Sequence, residues 1–108
     1  MPKASMRWGN IDVEFDTSEF AEADVDAAAR AVEARLPGFG DRLPEGSMIV
    51  LGRHGFSGEY VGAYQVGAGR PHEITKKAWR ARKAASLLLD EIASRIAADI
   101  SMLRPREL

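Results

Sequence analysis

The chain has 108 residues, 45% hydrophobic and 29% charged, with a net charge of −1, which bounds it to a single domain (1–108) with a modest core. It has no cysteine, which excludes disulfides, thiolate metal sites and thiol nucleophiles. No apolar run reaches the roughly 18 residues a membrane span needs, and the N-terminus lacks the layout of a signal peptide, so a non-membrane, cytoplasmic protein is expected. The near-neutral total conceals an asymmetry. Residues 1–36 carry four basic residues against eight acidic ones, and residues 37–108 eleven against eight. Regions of opposite sign can meet within one fold or between subunits.

Met1 to Ser5 read as a loose leader. Met6 to Phe15 then turns strand-like: Ile11, Val13 and Phe15 alternate with Asn10, Asp12, Glu14 and Asp16, and Trp8 and Met6 extend the period past Gly9. Asp16, Thr17 and Ser18 offer capping side chains to a helix whose stripe is Ala21, Val25, Ala28, Val32 and Leu36. Glu19, Glu22, Asp24 and Asp26 suit its early turns, and Pro37 and Gly38 end it. Phe39 to Ser47 is a turn-rich connector. Met48 to Leu51 and Glu59 to Val66 read as the strands of a hairpin with a loose glycine-rich tip, and Gly67 to Pro71 leads out of it.

The remainder, Ile74 to Leu103, holds no Gly and no Pro and lies between Pro71 and Pro105. Ile74, Ala78, Ala81, Ala85, Leu88, Ile92, Ile96, Ile100 and Leu103 recur at helical spacing, so one long amphipathic helix is expected. At about 1.5 Å per residue it would span roughly 45 Å, against some 35 Å for a compact domain of this size. Leu87, Leu88 and Leu89 would cover an arc of roughly 200°, wider than an ordinary surface helix buries. Either the helix is sandwiched between the sheet and the first helix, or a partner chain covers one flank. The resulting fold class is α+β, in the order β-α-β-β-α, with a small antiparallel or mixed sheet packed on a long C-terminal helix.

Few residues suggest chemistry. Arg53-His54-Gly55 after an apolar strand resembles the start of the histidine phosphatases. Phosphoryl transfer needs converging cations and a second acid/base group, and the only other histidine is His72, so an exposed hairpin tip is expected instead. Gly67-Ala68-Gly69 fails as a dinucleotide loop, because His72 stands where the third glycine would be. Two histidines and dispersed acids give no metal set, and no cofactor is expected. Arg70, His72, Lys76, Lys77, Arg80 and Lys83 gather near the start of the expected helix, where free N–H groups favour anions. Trp79 lies in that basic run and could stack on a base or pack on a neighbour.

Ile11-Asp12-Val13-Glu14-Phe15-Asp16-Thr17-Ser18-Glu19-Phe20, a strand running into an Asp-Thr-Ser helix start, resembles small head–tail completion or minor capsid proteins of tailed bacteriophages. That resemblance implies a helix following a sheet segment and subunits that work as rings of identical copies.

The expectation is therefore a non-enzymatic, self-associating structural or adaptor protein, a homo-oligomer or the partner of another chain. Its contacts would run through Trp79, Leu87, Leu89 and Ile96 on the long helix, or through the sheet. The phage resemblance adds a role in head–tail assembly and a place in the assembled virion. The alternative is a small nucleic-acid- or anion-binding module using Arg70, His72, Lys76, Lys77, Arg80 and Lys83.

Overall fold

The computed structural model describes residues 2–103. Five strands, β1 (Lys3–Trp8), β2 (Ile11–Asp16), β3 (Ser47–Arg53), β4 (Tyr60–Gln65) and β5 (His72–Lys76), form one sheet in sequence order. The helices are α1 (Glu22–Arg35), the short α2 (Phe39–Arg42) and α3 (Ala81–Leu103). Only β2 and β3 run parallel, joined by a crossover that contains α1; the other neighbours are antiparallel. The result is a small α+β fold with a mixed sheet and a C-terminal helix.

Alternation fixes which face meets the helices. Ile11, Val13 and Phe15 of β2, Ile49 and Leu51 of β3, and Tyr60 and Tyr64 of β4 are buried. Their neighbours Asp12, Glu14 and Asp16 point to the open face, as a one-residue step in a strand demands. α1 lies toward β1, where the Trp8 indole N–H donates to Glu33 at 2.8 Å. α3 lies over β4 and β5, with Leu88 and Ile92 against Gly62.

Several expected boundaries move. Lys3 to Ser5 belong to β1 and are no loose leader. The single strand of residues 6–15 is a hairpin, because Gly9 (φ +60°) turns the chain and leaves Trp8 opposite Ile11. Asp16 accepts both the N–H and the hydroxyl of Ser18, so these residues shape a turn before α1 instead of capping it; Ala21 occupies the N-cap. The connector contains α2, on which Gly40 seats against Trp8.

The largest correction concerns the C-terminal helix. It starts at Ala81, because His72 to Lys76 pair with β4 as an edge strand: Tyr64 faces His72, Gly62 faces Ile74 and Tyr60 faces Lys76. The β-branched pair Ile74-Thr75 favours that extended state, and β4 would otherwise be an unpaired edge. With 23 residues, α3 is about 35 Å long, shorter than the 46 Å greatest extent of the molecule. The size mismatch that called for a covering partner is gone. The wide leucine arc is also accounted for: Leu88 and Leu89 are fully buried between α1 and the sheet, and Leu87 is half-buried. The expected stop at Pro105 and the side chains of Ile100 and Leu103 lie outside the described residues. Among the described residues, no helix is long and apolar enough to cross a membrane.

Candidate interaction surface at one end of the sheet

The register sets Arg53, Tyr60 and Lys76 side by side. β3 and β5 end there, β4 begins there, and parallel β2 ends at the same side. Three connections therefore share one end of the sheet: residues 17–21 before α1, the hairpin tip 54–59, and the linker 77–80 before α3. At about 4.8 Å between strands, the base of the linker at Lys76 stands about 5 Å from the tip's base at Tyr60 and roughly 10 Å from its base at Arg53.

Each of those last two loops exposes one large aromatic. Phe56 and Trp79 are fully exposed, whereas Trp8 is 7% exposed and packs against Phe39 at 5.4 Å. The tip is ordered by local hydrogen bonds: the His54 N–H donates to the Glu59 carbonyl at 2.8 Å, and the Gly58 N–H to the His54 carbonyl at 3.0 Å. Arg53 braces it from inside. Its guanidinium lies 4.9 Å from the Tyr60 ring centroid, donates to the Gly58 carbonyl at 3.0 Å and meets Glu19 at 3.3 Å. Arg53 is thus a structural brace, and His54 an exposed loop residue.

The linker is the more strongly charged element. Lys77, Arg80, Arg82 and Lys83 are all exposed, none has an ion-pair partner among the described residues, and the first turn of α3 holds no acid. The Arg80 carbonyl accepts the Ala84 N–H, so α3 begins on a cation, against the helix dipole. Lys77, Ala78 and Trp79 border an open recess of about 390 Å³.

The six cationic residues expected near the helix start are not all together. Lys77, Arg80 and Lys83 are at this end. Lys76 is at the end of β5 but is engaged by Glu91 at 3.4 Å. The Glu91 carboxyl is held below its ordinary range, first by the hydrogen bond from Arg95 and then by Lys76. Arg70 and His72 lie at the far end, because β5 intervenes; His72 stacks on Tyr64 with centroids 5.1 Å apart. Both border a cavity of about 220 Å³ with Tyr64, Val66, Ile96 and Asp99.

Of the expected protein contacts, Trp79 is free to meet a partner. Leu89 and Ile96 are 0% and 2% exposed, and they belong to the core that α3 shares with α1 and the sheet. Half-buried Leu87 offers little area. Sequence reasoning missed Phe56, whose setting between Gly55 and Gly58, outside any periodic pattern, was a usable signal. His54 and His72 occupy opposite ends of the sheet, and among the described residues no three metal-binding side chains gather. Compared with protein-family models, curated proteins and solved structures, the chain finds no match.

Proposed function

We propose that this chain is a non-enzymatic interaction module, a structural or adaptor subunit that self-associates through the loop end carrying Trp79 and not through α3. The observation that carries this reading is the complete exposure of Trp79. Tryptophan is the side chain most enriched at the energetic centres of protein contacts, and an isolated copy gains nothing by leaving it in water. Phe56, on the adjoining loop, is a second fully exposed aromatic at the same end of the sheet. The finer role, a head–tail assembly component acting in the cytoplasm or the virion, draws on the resemblance of residues 11–20. Sedimentation velocity over a wide concentration range tests the reading: a concentration-dependent oligomer is expected, and a strict monomer at the highest attainable concentration disproves it.

A second reading has its own support in Lys77, Arg80, Arg82 and Lys83, unpaired cations around a fully exposed indole. Such a surface suits a nucleic-acid strand, with phosphates on the cations and a base on Trp79. Oligonucleotide binding should then fall steeply with salt, with a slope that flattens in Lys77→Glu/Arg80→Glu. No binding at low salt removes this reading.

A further inference from the structure

The face of the sheet turned away from the helices has a pattern complementary to the Trp79 linker. The register places Ser5, Glu14, Val50, Ala63 and Glu73 in one row across all five strands. Its apolar middle is bracketed by two carboxylates. Neither Glu14 nor Glu73 has an ion-pair partner among the described residues, whereas Asp12 in the adjoining row is paired with Arg7 at 2.8 Å. Met48, Val50, Ala63, Gln65 and Pro71 line a shallow depression of about 90 Å³ there, and Met48 is 37% exposed. Three strand spacings set Glu14 and Glu73 roughly 14 Å apart.

The linker presents the converse arrangement, an exposed indole between Lys77 and Arg80. We propose that Trp79 of one copy docks on the Met48–Val50–Ala63 depression of a second copy, with Lys77 and Arg80 meeting Glu73 and Glu14. This names the two contact surfaces of the self-association reading and rests on that reading. The depression lies on the open side of the sheet, while the linker climbs from edge strand β5 into the helix layer. A copy therefore carries two different, mutually complementary surfaces, and the contact is head-to-tail. Such contacts propagate into a closed ring or an open filament.

Size sets the expected strength. A face five strands wide and about six residues tall offers roughly 480 Å², well below the ~800 Å² per partner of a stable pair. One contact is weak by itself. A ring in which every copy makes two contacts gains its stability from closure.

The test is complementation by sedimentation velocity. Trp79→Ala removes the knob and Val50→Lys blocks the depression, so each variant alone should be monomeric, with the contact weakened roughly thirtyfold or more. Mixed one to one at the highest attainable concentration, they should give a weak, concentration-dependent heterodimer that grows no further, since each still owns one intact surface. Glu14→Lys/Glu73→Lys, which alters only the rim of the depression, replaces Val50→Lys if that variant does not fold. Wild-type assembly that survives Trp79→Ala overturns this interface while leaving self-association standing. Monomeric single variants whose one-to-one mixture sediments no faster than either alone, even at the highest attainable concentration, overturn the head-to-tail geometry. A wild-type chain that never associates sinks the underlying reading, and one that instead binds an oligonucleotide through Trp79 assigns this end to nucleic acid.

Discussion

Gly62 of β4 lies directly beneath Ile92 of α3: a Cβ placed on the glycine would stand 3.0 Å from Ile92 Cδ1 and 3.2 Å from Leu88 Cδ2. The missing side chain is what lets the helix settle onto the sheet. Both approaching atoms are ends of flexible side chains, so a single methyl can be accommodated by small shifts. Gly62→Ala should therefore destabilise the fold by only about 1 kcal/mol, the strain being partly offset by the lower entropy of the unfolded chain. Gly62→Val cannot be absorbed in that way and should cost roughly 3 kcal/mol. Urea denaturation of the two variants measures both, and equal stability of Val and Gly at this position would contradict the packing.

Glu33 ties three elements together. Its carboxylate accepts the Trp8 indole N–H at 2.8 Å, the Gly38 N–H at 2.9 Å and the Gly40 N–H at 3.1 Å, and so joins β1, α1 and the start of α2. The Gly40 N–H contributes most to holding its pKa below the ordinary 4.5; desolvation works against this, and the Trp8 and Gly38 donors add to it. A carboxyl lowered in the folded state stabilises fully above its unfolded pKa and loses that contribution as pH falls through the folded one. Stability should accordingly drop below about pH 4.5. Glu33→Ala, which leaves three donors without their acceptor, should cost about 3 kcal/mol at pH 7. The difference between Glu33→Gln and wild type should shrink as the solution is acidified, and a difference constant from pH 7 to pH 3 would refute the assignment.

The two tryptophans give a direct optical check on the proposed surface. Trp8 is buried against Phe39, whereas Trp79 is fully exposed among cations that attract iodide. Iodide should quench one component of the emission efficiently and leave the other nearly untouched. The quenchable component should vanish in Trp79→Ala with no loss of folding stability. It should also become protected at concentrations where the chain associates. Uniform quenching of both residues would place Trp79 elsewhere.

The class of fold was readable because the β2 alternation and the Leu88–Ile92–Ile96 spacing are strong periodic signals. The break between Lys76 and Ala81 was not, because Ala78 and Ala81 fit the helical period that starts at Ile74. Alanine suits a helix yet demands nothing of its surroundings, so only the pairing of β5 with β4 decides the matter. The candidate surface was half visible. Trp79 and Lys77, Arg80 and Lys83 adjoin in sequence, but Glu14, Val50, Ala63 and Glu73 become one row only through the register of four strands.

Leu89 separates the two roles that the sequence left open for the long helix. It is fully enclosed, one residue along from Leu88 and on the same apolar arc, between α1 and the sheet. If it serves the core, Leu89→Ala leaves a cavity and should cost about 2–5 kcal/mol of folding stability. The surviving folded fraction should then associate as the wild type does, because no part of the proposed contact involves this side chain. Trp79→Ala should show the opposite behaviour, with unchanged stability and lost association. Thermal unfolding and sedimentation velocity on the same two samples make the comparison. Should Leu89→Ala unfold like wild type and sediment as a monomer, α3 would be a contact surface after all and the arrangement of its core would have to be redrawn.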